Sequence, residues 1–246
     1  MTSIGIWALL GLGLVFGLKH ATEVDHIVAV SAIVSEHRSL LRSALVGGLW
    51  GLGHTVSLVV VGVLVLVFRV AIPEPIANWL EFGVALMIIA LGALTLIRVL
   101  WNRPDVHIHQ HKHDGLSHAH IHFHEQRTQH AAPTKSHSHA IASIGYKPFL
   151  VGAMHGLAGS AALTLLVLTQ IQSVVLGLVY LAVFGIGSAC GVLLMSSLVG
   201  LPFAVSERLS NINYGLQTAA GALSITFGLW YGYATGVTNN LWAPLF

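Results

Sequence analysis

Long apolar segments separated by short polar stretches dominate the hydropathy pattern of the chain. Each segment reaches or exceeds the ~20 residues that a helix needs to cross ~30 Å of hydrocarbon. The alternating pattern of an outer-membrane barrel is missing. The pattern therefore predicts an all-α polytopic membrane protein with six transmembrane helices, the first long enough to be tilted or broken. The six segments comprise residues 4–34, 43–69, 76–101, 148–171, 174–201 and 212–236.

The composition narrows the class of protein further. Apolar residues make up 55% of the 246 positions and charged residues only 8%, whereas an ordinary soluble domain carries roughly 25% charged residues. The 11 Lys and Arg nearly balance the 9 Asp and Glu, so no basic surface suited to a nucleic acid is expected. The lone Cys190 excludes an intrachain disulfide framework. The lipid bilayer is the expected partner of such a surface.

The distribution of cationic residues predicts the orientation of the helices, because cytoplasmic loops carry the excess of Lys and Arg. The turn at 35–42, the segment 98–147 and the turn at 202–211 share one side of a six-helix topology. Together they carry nine cationic residues, whereas the other side has Arg69 alone. We therefore expect a multi-pass protein of the cytoplasmic (inner) membrane, with both termini outside and the long central loop in the cytoplasm.

The two halves of the chain resemble each other. His20 in the first helix aligns with His155 in the fourth at an offset of 135 residues. Gly53 aligns with Gly187 at an offset of 134, and Gly92 aligns with Gly228 at an offset of 136. Three helices per half is an odd number, so two such repeats would insert with opposite topology, which is a transporter architecture. The expected units are a first three-helix repeat at 1–101, a loop at 102–147 and a second three-helix repeat at 148–246.

The central loop is rich in histidine, and many of its histidines alternate with other residues. In an extended chain, alternate residues point the same way, and imidazole suits transition metals better than Mg or Ca. The composition cannot form a packed core, so we expect the loop to be disordered without metal and to serve as an accessory metal-capture segment. The alternating histidines are His107, His109, His111, His113, His118, His120, His122 and His124.

The most informative stretch is His20-Ala-Thr-Glu23-Val-Asp25-His26, which places four ionisable groups near the middle of the first span. Such groups cost ~2.5–3.5 kcal/mol each at that depth on insertion scales and mark functional sites. On a regular helix of ~100° per residue, Asp25 falls almost opposite Glu23. Either the helix is broken here, or Asp25 acts indirectly by accepting the distal N–H of a ligating histidine.

Two further histidines lie in other membrane segments. His54 follows Gly51 and Gly53, which allow close helix approach, and His155 occupies the position equivalent to His20 in the second half. Neutral imidazoles with carboxylates form the ligand set expected for Ni(II), Co(II) or Zn(II). The predicted metal residues are His20, Glu23, Asp25, His26, His54 and His155.

At His20-x4-Asp25-His26 the sequence resembles the nickel/cobalt transporter superfamily, whose extended motif is H-A-x-D-A-D-H-I. This chain matches it at His20, Ala21, Asp25, His26 and Ile27, with Glu23 in place of Asp. The Leu52-Gly53-His54-Thr55 segment is similar to the second motif of the superfamily. The acidic motif of high-affinity permeases is missing from the second half, so the chain looks most like the divergent branch of urease-accessory and efflux-like permeases. The resemblance implies that His20, Asp25, His26 and His54 lie on the metal path.

These features favour a secondary transporter that carries Ni(II) or Co(II), with Zn(II) also compatible, and that acts in uptake. Cytoplasmic metal chaperones or metalloenzyme maturation proteins are the expected recipients of the ion. An efflux permease with the same site is the first alternative. A bis-His haem-binding electron carrier that uses His54 and His155 is the second. Neither an ATP-binding motif nor the H-E-x-x-H motif of a metalloprotease is present, so we expect a non-enzyme without a catalytic cofactor.

Overall fold

The computed structural model of the protein describes residues 3–37, 39–68, 72–101, 105–113, 116–124, 144–171, 173–206, 209–238 and 241. Its membrane part is entirely helical, as predicted, and each of the six apolar segments is occupied by helix. The helices are α1 (Ser3–His20), α2 (Val24–Val34), α3 (Leu40–Phe68), α4 (Glu74–Trp101), α5 (Lys147–Gln170), α6 (Val174–Val205) and α7 (Ser210–Tyr233), which continues into a π-helical turn at Ala234–Thr238.

The first apolar segment is a broken helix. Backbone bonds from Thr22 N to Lys19 O at 2.9 Å and from Glu23 N to His20 O at 3.0 Å tighten the end of α1. Glu23 then adopts an extended conformation with φ −65° and ψ 148°, and α2 begins at the next residue. The two helices meet at a bend of 55°. Of the two arrangements that the sequence left open, the structure therefore contains the break.

Among the residues that the structure describes, three helices are long and apolar enough to cross a membrane, namely α3, α4 and α6. The bent pair α1–α2 meets the same criteria when it is taken as one broken span. Outward-facing positions on these helices carry large apolar side chains, whereas polar side chains such as Ser43, Thr95 and Ser196 are buried. This distribution suits a lipid environment, in which apolar side chains face the bilayer and polar groups face the protein interior.

Helix α3 lies between α5 and α6, while α1 packs on α6 and α4 packs on α7. Glycines permit close approach at these interfaces. A Cβ atom placed on Gly17 of α1 would overlap the carbonyl oxygen of Phe184 on α6. A Cβ atom on Gly152 of α5 would overlap the carbonyl oxygen of Trp50 on α3 in the same way. The second contact matters for the site, because it holds the start of α5 against the middle of α3.

Replacing Gly152 by alanine should therefore destabilise the protein. The added methyl group has to displace helix backbone rather than a flexible side chain, and overpacking of this kind typically costs about 1–3 kcal/mol. We expect Gly152→Ala to lower the midpoint of thermal unfolding in detergent. The matched control is Gly83→Ala on α4, where an added Cβ would meet nothing within 4 Å, and where removing a helical glycine should leave the midpoint unchanged or raise it. Equal midpoints for the two variants would contradict the close packing of α3 and α5.

The central loop differs in part from the predicted disorder. Residues Asp105–His113 (β1) and Leu116–His124 (β2) form an antiparallel pair, in which His107 is opposite His122 and His111 is opposite His118. The alternation of histidine with Val, Ile, Ala and Phe has the period of a strand, which explains why these segments are extended. The predicted disorder of residues 125–143 lies outside the described residues.

Candidate metal site

Histidine rings from four helices converge in the middle of the bundle. His20 ends α1 and His26 lies in the first turn of α2. His54 lies in the middle of α3, and His155 lies near the start of α5. The ring centroids are 4.3 Å apart for His26 and His155 and 5.9 Å apart for His54 and His155. His26, His54 and His155 are at most 2% exposed. Residues far apart in sequence thus form one buried imidazole cluster.

Asp25 joins two of these rings through its carboxylate. Its Oδ1 lies 3.1 Å from Nδ1 of His26, and its Oδ2 lies 2.7 Å from Nε2 of His155. An ionised carboxylate can only accept hydrogen bonds, so both imidazole nitrogens must donate to it. In the neutral rings, the lone pairs are then on Nε2 of His26 and Nδ1 of His155. These two buried atoms have no hydrogen-bond partner among the described residues, as expected of nitrogen atoms that await a metal ion.

His20 makes the second set of contacts in the cluster. Its Nε2 lies 3.2 Å from Nε2 of His54, and its Nδ1 lies 2.9 Å from a carboxylate oxygen of Glu23. Two nitrogens on one tetrahedral ion at ~2.0–2.1 Å each are about 3.3 Å apart. The separation of the two Nε2 atoms therefore matches the bite of a shared ion, and Glu23 orients the His20 ring from its other side.

Within the described part of the chain, two groups of side chains bring ligand atoms close enough to hold one ion. The ligand atoms of His20, His26 and His54 lie within 4.8 Å of one another, and so do those of Asp25, His26 and His155. We call them the inner triad and the outer triad. In the outer triad, the two histidines offer ligand nitrogens, and Asp25 orients both rings by accepting their N–H groups. His26 belongs to both, and each triad combines residues from the broken span with a histidine from another helix. Five of the six predicted residues are therefore in a triad, and Glu23 contacts the inner triad through His20.

Trp50 supports the cluster from α3. Its indole stacks on the His54 ring with centroids 5.3 Å apart and an interplanar angle of 8°, and it meets the rings of His26 and His155 edge-on. Trp50 is fully buried, so it fixes the positions of three imidazoles and excludes water behind them. Sequence reasoning did not assign Trp50 a role, although its spacing of one helical turn from His54 places it on the same helix face.

A cavity of about 390 Å³ opens beside the cluster. Aromatic side chains of Phe16, Phe184 and Tyr231 form part of its wall. Its polar lining consists of His20, Glu23, Asp25, His26, His155 and Glu81. The whole outer triad faces this space, whereas His54 of the inner triad is not among the lining residues. The sequence analysis assigned Glu81 no role, although a carboxylate inside an apolar helix was a signal that could have identified it.

The eight alternating histidines of the central loop lie on β1 and β2. The register places His107 opposite His122, His109 opposite His120 and His111 opposite His118. Cross-strand neighbours on one face of an antiparallel pair are close together. Accessory metal capture by these eight residues stays a prediction.

Comparison with known proteins gives consistent results along most of the chain. The model of the family NicO, described as high-affinity nickel-transport protein, matches residues 6–227. The urease accessory protein UreH of Bacillus sp. (strain TB-90) is 34% identical over 242 residues, covering 98% of this chain and 97% of that protein. Chloroplast protein FOR GROWTH AND FERTILITY 2 of Arabidopsis thaliana is 26% identical over 207 residues, covering 83% of this chain and 50% of that protein. No solved structure matches the chain.

Proposed function

We propose that this chain, which belongs to the NicO family of high-affinity nickel-transport proteins, imports Ni(II) or Co(II) across the cytoplasmic membrane through the imidazole cluster. A metal transporter of this class is a permease and not an enzyme. The observation that carries the proposal is the pair of overlapping triads, built from the broken span and two further helices. Imidazole nitrogens with one carboxylate suit Ni(II), Co(II) and Zn(II) far better than Mg or Ca.

The arrangement of the triads suggests a path for the ion. An ion in the cavity first meets the outer triad of Asp25, His26 and His155, because all three side chains line that space. It then passes to the inner triad, whose His54 lies deeper in the bundle. His26 can stay bound during the transfer, since it belongs to both triads. One shared ring also limits the cluster to one ion at a time, which favours passage over storage.

The predicted orientation supports uptake as the direction. With both termini outside, the N-terminal part of α4 and the C-terminal part of α7 face the exterior. Glu81 and Tyr231 lie in these parts and line the cavity, so this conformation would be open to the outside. Glu36 and Arg98 form an ion pair that joins the turn after α2 to the end of α4. Those two segments are on one side of the proposed six-span topology, as this contact requires.

We also propose six spans arranged as two inverted three-helix repeats, with α1–α2, α3 and α4 equivalent to α5, α6 and α7. Helices α5 and α7 have 24 residues each, which is enough to cross the hydrocarbon at 1.5 Å per residue. Close contacts at glycines support the repeat. When one half of the chain is superposed on the other, each of these contacts falls on an equivalent contact. The equivalent contacts are Gly17–Phe184 with Gly152–Trp50, Gly187–Leu14 with Gly53–Phe149, and Gly92–Ile225 with Gly228–Ile89.

The strand pair of the central loop would receive or buffer the ion on the cytoplasmic side. From there, a metal chaperone or a metalloenzyme maturation protein would collect it. The similarity to a protein named as a urease accessory protein supports nickel-enzyme maturation as the destination. Bis-His haem binding is disfavoured by the packing, since the rings of His26 and Trp50 lie within 5.3 Å of the His54 ring and fill the space that a macrocycle would need.

Metal accumulation in cells tests the proposal. In cells that lack their own nickel transport, we expect the chain to raise cellular nickel or cobalt, measured by elemental analysis, and we expect His20→Ala to abolish the increase. His37→Ala, in the turn between α2 and α3, is the control and should accumulate metal like the unchanged chain.

The other outcomes of this experiment are informative. Lowered cellular metal with resistance to toxic nickel would mean efflux. Loss of the effect on deletion of 105–140, without an effect of His20→Ala, would move the essential site to the loop. No change in any metal, together with a Soret band in the purified protein, would replace the transporter by the haem carrier.

A further inference from the structure

Glu81 contributes a third carboxylate to the cavity, and neither triad includes it. It lies on α4 and faces the same space as Glu23 and Asp25, although α4 contributes nothing to the imidazole cluster. Its side chain is half-buried, and the Glu23 side chain is 53% exposed. Two carboxylates from different helices thus lie at the open part of the cavity, while Asp25 lies deeper, bonded to two histidines.

The cavity is much larger than a bare metal ion. Six waters around a hydrated ion occupy roughly 180 Å³ at ~30 Å³ per water, and the cavity offers about 390 Å³. A divalent ion can therefore enter with its first shell of waters. Carboxylate oxygens accept hydrogen bonds from such waters without replacing them, and the charge attraction is stronger here than in bulk water because protein surrounds much of the cavity.

The deeper wall of the same cavity carries nitrogens suited to the next step. His26 and His155 are 1% and 2% exposed, line the cavity, and each has one ring nitrogen without a hydrogen-bond partner among the described residues. Acidic side chains at the mouth and unpartnered imidazoles at the base form a sequence of sites. The first suits a hydrated cation, and the second suits a cation that has lost some of its waters.

We propose that Glu81, together with Glu23, forms a docking station that holds the hydrated Ni(II) or Co(II) ion before the outer triad strips its waters. This inference rests on the proposed transport function and adds a binding residue to it. Glu81 acts at the capture step, so it sets the concentration at which uptake saturates. The maximal rate depends on the transfer between the triads, which Glu81 does not contact.

Uptake kinetics of the full chain in cells test the docking station. Replacing Glu81→Gln keeps the shape and removes the charge. We expect about a tenfold higher KM for nickel uptake with a nearly unchanged maximal rate, because the lost charge weakens capture of the ion and does not act on its later transfer between the triads. Glu81→Asp keeps the charge and should have the KM of the unchanged chain. The matched control is Glu74→Gln in the first turn of the same helix, which is exposed and outside the cavity lining, and should behave like the unchanged chain.

Each other outcome has a defined meaning. An unchanged KM in Glu81→Gln, with the unchanged chain transporting normally, would overturn the docking station and leave the proposed function intact. A lower maximal rate with an unchanged KM would also overturn the docking station, since Glu81 would then act in the transfer of the ion between the triads. No uptake by the unchanged chain would refute the proposed function itself.

A second measurement covers the case in which Glu81→Gln does not fold. On a Cys190→Ser background, Glu81→Cys can be modified in the folded protein with an anionic or a neutral thiol reagent. Compared with the unmodified Glu81→Cys variant, the protein that carries the anionic group should have a lower KM, and the protein that carries the neutral group should not. Equal effects of the two reagents would overturn the proposal.

Discussion

Replacing Asp25→Asn should reduce nickel uptake by about a hundredfold, the upper end of what lost outer-shell partners of a metal-bound histidine cost. The reason is the tautomer of the rings that Asp25 contacts. The carboxylate accepts from Nδ1 of His26 and Nε2 of His155. An asparagine amide offers one acceptor and one donor group. One of the two histidines must then accept at the nitrogen that faces residue 25, and its proton moves to the nitrogen that should bind metal.

The stability of the metal-free protein should respond differently. An ionised carboxylate at membrane depth costs about 2.5–3.5 kcal/mol on insertion scales, and Asn carries no such cost. We therefore expect Asp25→Asn to unfold in detergent at a midpoint no lower than that of the unchanged chain, while uptake is lost. Separate measurements of uptake and of the thermal midpoint check the two parts of this prediction.

Glu23→Gln is the matched control for the charge. Its carboxylate contacts His20 alone among the cluster histidines and is half exposed, so we expect a smaller loss of uptake than with Asp25→Asn. Equal losses in the two variants would show that only total negative charge matters. Nickel uptake by Asp25→Asn at the level of the unchanged chain would refute the orienting role of the Asp25 carboxylate.

The sequence predicted the helices well because their signal is local. Long apolar runs mark every helix, and the ionisable motif interrupts the first run at the point where the structure bends. The motif also placed Glu23, Asp25 and His26 beside His20. Their geometry could not be derived from a regular helix, in which Asp25 and Glu23 diverge. The extended conformation of Glu23 resolves this conflict, because it turns α2 away and directs Asp25 toward His155.

The convergence of the four histidines depends on tertiary packing that sequence reasoning could only suggest. The repeat alignment paired His155 with His20, but it gave no distance between them. The backbone contacts at Gly53 and Gly152 hold α5 against α3 and so place His155 beside His54. Glu81 and Trp50 were missed for a related reason. The signal on each helix names no partner, because side chains from other helices complete the cavity around Glu81 and the cluster around Trp50.

His26 should be the most sensitive of the imidazole ligands, because it is the residue that the two triads share. His54→Ala removes a ligand from the inner triad only, and His155→Ala removes one from the outer triad only. His26→Ala removes one from both. In a full-length background with the eight strand histidines replaced by serine, we expect nickel binding to persist in each of the first two variants with weakened affinity. We expect it to be lost in His26→Ala.

The combination of the first two variants makes this prediction quantitative. If the ion passes from one triad to the other, the double variant His54→Ala/His155→Ala disables both sites and should bind nickel as poorly as His26→Ala does. Residues that act as a unit are strongly non-additive, so adding His26→Ala to the double variant should cause almost no further loss. Titration calorimetry measures the affinities of all five variants. Binding by His26→Ala as tight as that of His54→Ala would mean that the ion uses one fixed set of ligands, and the transfer through His26 would have to be abandoned.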